Sequence, residues 1–101
     1  MIRLVLAGAA LASLAACAMR PEGTSAEDAA AFDVAVASIG CDLRTESDYL
    51  PVELQTGLSR EQVQGLAQYR AELGQMAEFE SGGYRLLTGA CEPKAETPAE
   101  A

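Results

Sequence analysis

The chain has 101 residues, 7 Lys and Arg against 15 Asp and Glu, a formal net charge of −8, and no His. That length holds one small domain, and that charge repels nucleic acid and anionic headgroups over most of the surface. The lack of His excludes Ser-His-Asp and Cys-His nucleophilic systems and His-ligated zinc.

Arg3 precedes an apolar run from Leu4 to Ala12, and Ser13 opens a short segment of mostly small residues before Cys17. This is the order of an export signal. Within it, Leu14-Ala15-Ala16-Cys17 resembles the lipobox of bacterial lipoproteins, with an apolar residue three positions before the Cys and small residues between. The resemblance implies a diacylglyceryl group on the Cys17 thiol, cleavage before Cys17 and acylation of the new amino terminus. Residues 1–16 are then a signal peptide. Two other readings stand beside it. An uncleaved membrane helix needs roughly 20 apolar residues, more than the run from Leu4 to Met19, which Ser13 interrupts. Ala16-Cys17-Ala18 also fits ordinary secretory cleavage, which releases a soluble periplasmic protein after Ala18.

Under the lipoprotein resemblance the first partner is the lipid bilayer. Acyl chains contribute about 0.8 kcal/mol per buried methylene and anchor a protein without spanning the membrane. Ala18 stands where an Asp commonly retains lipoproteins in the inner membrane, so the resemblance favours the outer membrane, facing the periplasm. Loss of Arg3 with the signal takes the net charge to −9. In that oxidising compartment Cys41 and Cys91 form an even pair, and a disulfide between them is expected. It closes a loop of about 50 residues, worth roughly 4 kcal/mol by chain entropy, which is a large share for so small a core. The alternative, two free thiols acting as a redox pair, lacks the Cys-x-x-Cys spacing that tunes thiol reactivity.

Residues 17–24, with Pro21 and Gly23, read as a short lipidated tether. Ser25 begins a helix, with Asp28 three residues on, Phe32, Val36 and Ile39 at helical spacing, and Ala29 and Ala35 beside them. Gly40 ends it. Cys41 to Arg44 suits one short extended segment. Ser47 or Asp48 caps a second helix running to about Thr56, with Pro51 in its first turn, and Gly57 breaks it. Ser59-Arg60-Glu61-Gln62 reads as a capping box, and Leu58 and Val63 occupy the positions of a hydrophobic staple. The helix that follows carries Val63, Leu66, Ala67 and Leu73 inward and Gln64, Gln68 and Glu72 outward, and stops at Gly74. Gly65, costing up to about 1 kcal/mol against Ala, hints at close approach by another element. Residues 75–80 and 84–88 then flank Ser81-Gly82-Gly83 as a hairpin with a three-residue loop. Ala77 and Phe79 share one face there, as do Tyr84, Leu86 and Thr88. Residues 92–101 are polar, contain Pro and lack an apolar pattern, which predicts a disordered acidic tail.

The expected fold is thus a small single α+β domain over residues 25–91, with two to three helices, a C-terminal β-hairpin and one disulfide. Its element order, with Gly82-Gly83-Tyr84-Arg85-Leu86 in the hairpin, is similar to the winged-helix arrangement. That resemblance implies a short strand after the first helix, pairing with the last strand of the wing, and Cys41 and Cys91 fall where a bridge fits it. It also maps a recognition helix onto residues 59–73, exposing Arg60, Gln64 and Gln68, with Arg85 on the wing. Phosphate binding requires more cations and fewer carboxylates than this chain has, so no nucleic-acid partner is expected and a protein-contact role is.

The only Lys, Lys94, lies in the tail, so a Ser-Lys dyad would need a disordered partner, and no Walker-type loop is present. Asp42, Glu46 and Asp48 lack the ligand alternation and Gly of a calcium loop and read as a solvated acidic face; no metal and no cofactor are expected. Paired carboxylates suit glycoside cleavage, but nothing singles out an acid and a base. Tyr49, Leu50, Tyr69 and Arg70 are interaction candidates, because aromatics and Arg are enriched at interface hot spots. The plainer reading makes Tyr49 and Leu50 core and Arg70 a surface ion-pair partner. The sequence therefore points to a non-enzymatic accessory or interaction module of an envelope complex. The alternative is a small envelope enzyme or ligand binder with a carboxylate and Arg site.

Overall fold

A computed structural model describes residues 19–93, so the expectations for residues 1–16, for Cys17 and for the tail from residue 94 lie outside the described residues. Helix α1 (Ala26–Ser38) starts where Ser25 and Asp28 complete a reciprocal capping box: Asp28 N donates to Ser25 Oγ at 3.0 Å and Ser25 N to Asp28 Oδ2 at 2.9 Å. Ala29, Phe32, Ala35 and Val36 repeat at helical spacing and are buried together. The helix ends in a Schellman motif, in which Gly40 N donates to Ala37 O and Cys41 N to Val36 O. Cys41 itself takes φ 78°, the only non-glycine residue with positive φ among the described residues. Such a backbone costs about 1–2 kcal/mol for an L-residue. Here the motif closing α1 and the bridge to Cys91 both hold it.

Strand β1 (Asp42–Leu43) follows, and then helix α2 (Glu46–Thr56). Its start differs from the expected one. Thr45 is the N-cap, and Asp48 lies inside the first turn, accepting from the backbone N–H groups of Thr45 at 3.1 Å and Arg44 at 2.8 Å. Asp48 thus serves as the acidic arm of a box whose cap is Thr45. Because the helix starts earlier than expected, Pro51 is its sixth residue rather than a first-turn residue. Proline there removes one intrahelical donor; the carbonyl it would have served, on Ser47, belongs to an exposed residue that water can reach. Gly57 closes the helix in the left-handed conformation, as expected.

Helix α3 (Arg60–Glu72) begins at the expected capping box, with Gln62 N donating to Ser59 Oγ and Ser59 N to Gln62 Oε1, both at 3.1 Å. Replacing Ser59 by Ala should cost about 1 kcal/mol. Urea unfolding of the two proteins checks this, and an unchanged midpoint would mean the Gln62 arm alone holds the helix start. Val63, Leu66 and Ala67 are buried, whereas Leu73 is 41% exposed. The expectation that Leu73 faces inward is corrected: α3 stops at Glu72 and Leu73 is its C-cap. Gly74 N donates to Ala71 O and Gln75 N to Arg70 O, a second Schellman closure that turns the chain out of the helix.

Strands β2 (Met76–Glu78) and β3 (Tyr84–Leu86) pair antiparallel with Met76 opposite Leu86, and β1 pairs with the other edge of β3. The sheet order is therefore β1-β3-β2. The hairpin loop lies one residue earlier than expected. Phe79 N donates to Gly83 O at 2.9 Å, leaving Glu80, Ser81 and Gly82 as the three loop residues. Met76 is the buried residue of β2, and Ala77 is exposed opposite Arg85. At Gly83, φ is 98° and an added Cβ would lie 2.9 Å from both the Leu43 carbonyl and the Arg44 Cα. Only glycine lets the wing approach β1 so closely.

The domain is α+β, with three helices, a three-stranded antiparallel sheet and the expected Cys41–Cys91 disulfide, whose Cα atoms are 5.7 Å apart. A short strand follows the first helix and pairs with the last strand of the hairpin, as expected. Phe32, Leu43, Val52, Leu66, Met76 and Leu86 meet in one core to which every helix and all three strands contribute. A 3₁₀ turn (Gly89–Cys91) brings the buried Cys91 back to the end of α1. Among the described residues no helix is long and apolar enough to cross a membrane.

Candidate functional site

Three Arg-centred clusters dominate the polar surface, and each fixes one junction of the fold. The first joins α2 to α3. Arg60 reaches Glu46 with both terminal nitrogens, Nη1 to Oε1 at 3.0 Å and Nη2 to Oε2 at 2.9 Å, while its Nε bonds Glu53. The guanidinium also lies 4.7 Å from the centroid of the Tyr49 ring. Arg60 is the first residue of α3, where the helix dipole disfavours a cation. The two carboxylates from α2 offset this. Its hydrogen bonds hold Glu46 below the usual carboxylate range and make the guanidinium harder to deprotonate. Tyr49 is half-buried; burial chiefly raises its phenol above the ordinary range, with Tyr84 acting in the same sense and Arg60 opposing.

The second cluster ties α3 to α1. Arg70 grips Asp33 through Nε–Oδ1 at 3.0 Å and Nη2–Oδ2 at 2.7 Å, and donates to Gln75 Oε1 at 2.8 Å and to the Ala29 carbonyl at 3.3 Å. A planar five-donor fork suits this geometry and an ammonium does not. Burial raises the Asp33 carboxyl above its ordinary range, with the Arg70 charge opposing it. The third cluster lies on the sheet and wing. Arg85 pairs with Asp42 at 2.7 Å, and Arg44 stacks 4.3 Å from the Phe79 centroid while reaching Ser81 Oγ at 3.3 Å.

These clusters decide where the sequence candidates stand. Tyr49 and Leu50 are on α2, Tyr69 and Arg70 near the end of α3, and the four do not converge on one site. Tyr49 packs against the core as a half-buried residue, whereas Leu50 is 47% exposed, which corrects the reading of Leu50 as core. Arg70 is an ion-pair partner, but an inward one, with 14% of its side chain exposed. Tyr69 instead lines an open groove with residues 19–24. Of the residues the winged-helix resemblance exposes, the two cations are engaged, Arg60 with two carboxylates and Arg85 with Asp42, while Gln64 and Gln68 are exposed. Of the acidic trio, Asp42 and Glu46 are ion-paired and Asp48 caps α2. Among the described residues no group of three or more Cys, Asp or Glu is placed to hold a metal ion.

Sequence reasoning missed the Arg60 cluster because it began α2 at residue 48. With the helix starting at Glu46, positions 46, 49 and 53 fall on one flank at spacings of three and four, and that pattern was the available signal. The hint from Gly65 was sound. A Cβ there would lie 2.8 Å from Pro21 Cγ, so residues 19–24 are not a free tether but rest on α3. Thr24 N and Oγ1 both donate to the Pro21 carbonyl, and Gln62 Nε2 reaches the Glu22 carbonyl at 3.5 Å.

Compared with protein-family models, with characterised proteins and with solved structures, the chain matches none.

Proposed function

We propose that the chain is a lipid-anchored lipoprotein of a bacterial envelope, facing the periplasm from the outer membrane, whose domain is a non-enzymatic protein-contact module of an envelope complex. The carrying observation is the segment Leu14-Ala15-Ala16-Cys17 at the end of an apolar N-terminal stretch. The Cys41–Cys91 bridge supports it, since such bonds persist in exported proteins and are rare in the cytosol. It also leaves Cys17 as the one cysteine outside the bridge. The contact role is supported by the engagement of Arg60, Arg70 and Arg85 with carboxylates of the domain itself, which leaves those cations holding the fold rather than a phosphate. Exposed Leu50 and Leu54, one helical turn apart on α2, offer the apolar contact area a protein partner uses.

The test is Cys17→Ser in the full chain expressed in a double-membrane bacterium. The expected result is loss of the acyl mass increment and release from the membrane fraction. Retention of an acylated product in the variant would overturn the anchor. Crosslinking of tagged full-length protein in native envelopes, against an untagged control, tests the contact role. One stoichiometric protein partner supports it, and the absence of any partner counts against it.

A further inference from the structure

The docking of residues 19–24 on α3 gives the domain a defined orientation relative to its anchor. Resting on the anchor proposed above, we infer that the flank of α3 carrying Gln62, Gly65 and Tyr69, together with residues 19–24, is a membrane-apposed surface that seats the domain on the headgroup layer of the bilayer holding Cys17.

Pro21 fills a notch that exists only because residue 65 has no side chain, and Gly23, at φ 81°, lies against Gln62. Hydrogen bonds within 21–24 and from Gln62 close the segment onto the helix. The chain therefore leaves the domain at Pro21, four residues after Cys17. At 3.3–3.6 Å per residue, the acylated residue lies within about 14 Å of Pro21. With residues 21–24 fastened to α3, only the short span from Cys17 to Pro21 separates anchor from domain, which restricts how far the domain turns and favours the flank it is fastened to as the one facing the membrane.

The chemistry of that flank fits the occupant. Met19 is 73% exposed, Arg20 and Glu22 offset each other to leave the segment neutral in a chain of net charge −8, and Tyr69 brings an amphipathic ring to the same groove. An apolar side chain, a segment of no net charge and a tyrosine suit the boundary between headgroups and acyl chains. Gln62, Gly65 and Tyr69 recur at i, i+3 and i+7. Arg60 lies on the other flank, where it meets Glu46 of α2, and Gln64 follows it one turn on along the same side. The flank turned toward the bilayer is thus distinct from the one that binds α2.

The chain has no Trp, so single tryptophans report position directly. Acylated full-length Tyr69→Trp and Gln64→Trp are reconstituted into vesicles of phosphatidylethanolamine and phosphatidylglycerol with acyl chains brominated near the headgroup. Flotation measures binding and quenching measures depth. The expected result is several-fold stronger quenching, with a blue shift, for Y69W than for Q64W. Pro21→Gly, which empties the notch without touching any helix, should erase that difference while flotation persists; Gly65→Val should do the same. Equal quenching at the two positions in an otherwise native, floating protein overturns the orientation and leaves the anchor standing. Failure to float overturns the anchor and the orientation with it. Quenching that P21G leaves unchanged overturns the notch as its cause.

Discussion

Serine at both Cys41 and Cys91 is expected to lower the free energy of unfolding by about 4 kcal/mol, the chain-entropy value for a 50-residue loop. Two local effects add to the entropic one. Cys91 is buried, so a serine hydroxyl there must find a partner or remain unsatisfied. Cys41 sits at φ 78°, and without the bridge the backbone bonds closing α1 and the bond from Leu86 N to its carbonyl are left to hold it there. For a domain whose whole stability lies on the order of 5–15 kcal/mol, the loss is a large fraction. Urea unfolding of the double variant beside the oxidised and reduced native protein measures it. A loss below about 1 kcal/mol would mean the unfolded chain already keeps residues 41 and 91 close, so that the bond constrains little.

Phe32→Ala carries the second large effect, about 3–5 kcal/mol. Phe32 has no solvent exposure and is the largest fully buried side chain of the domain. It projects from α1 into the core that Leu43, Val52, Leu66 and Leu86 complete from the strands and the other helices. Those neighbours belong to separate elements fixed by the disulfide and the Arg clusters, so the site has little freedom to collapse around a cavity. Val34, two residues on and 68% exposed, is the matched control. Val34→Ala should change stability by no more than about 0.5 kcal/mol. Ala is the better helix former at both positions, so propensity opposes a loss at either, and a similar cost at the two would show that burial of Phe32 does not set the stability of α1.

What was legible in the sequence was what is encoded locally. The boxes at Ser25–Asp28 and Ser59–Gln62 place oxygen acceptors against free helical N–H groups within four residues, and both starts are where the sequence puts them. Gly57 and the cysteine pair were legible for the same kind of reason, one backbone conformation and one bond. The start of α2 was ambiguous because Thr45, Ser47 and Asp48 are all capable caps. The choice fell to Thr45 because Asp48 reaches back to two N–H groups at once. Leu50, Leu73 and Met76 were not legible because their burial depends on which neighbours arrive from elsewhere in the chain. The clusters were hidden for the same reason: Arg70 and Asp33 are 37 residues apart, and Arg85 and Asp42 are 43 apart. Besides the cysteine pair, Gly65 announced a long-range contact in advance, since a glycine inside a well-capped helix is a local cost with a tertiary cause.

The disulfide also sets how the domain carries a mechanical load. Tension pulling on the chain from the two sides of the domain reaches Cys41 through α1 and Cys91 from the residues after it, and the Cys41–Cys91 bond passes it directly from one to the other. The 49 residues between the cysteines, with α2, α3 and the whole sheet, form a sealed ring that such a pull cannot lengthen. Of the described elements before the ring, residues 19–24 and α1 lie on the load path. Stretching therefore peels α1 away and extracts Phe32 and Val36 from the core while the ring stays shut. The domain yields by shedding one helix over a short, fixed extension, and when the load is released that helix has a preassembled surface to return to.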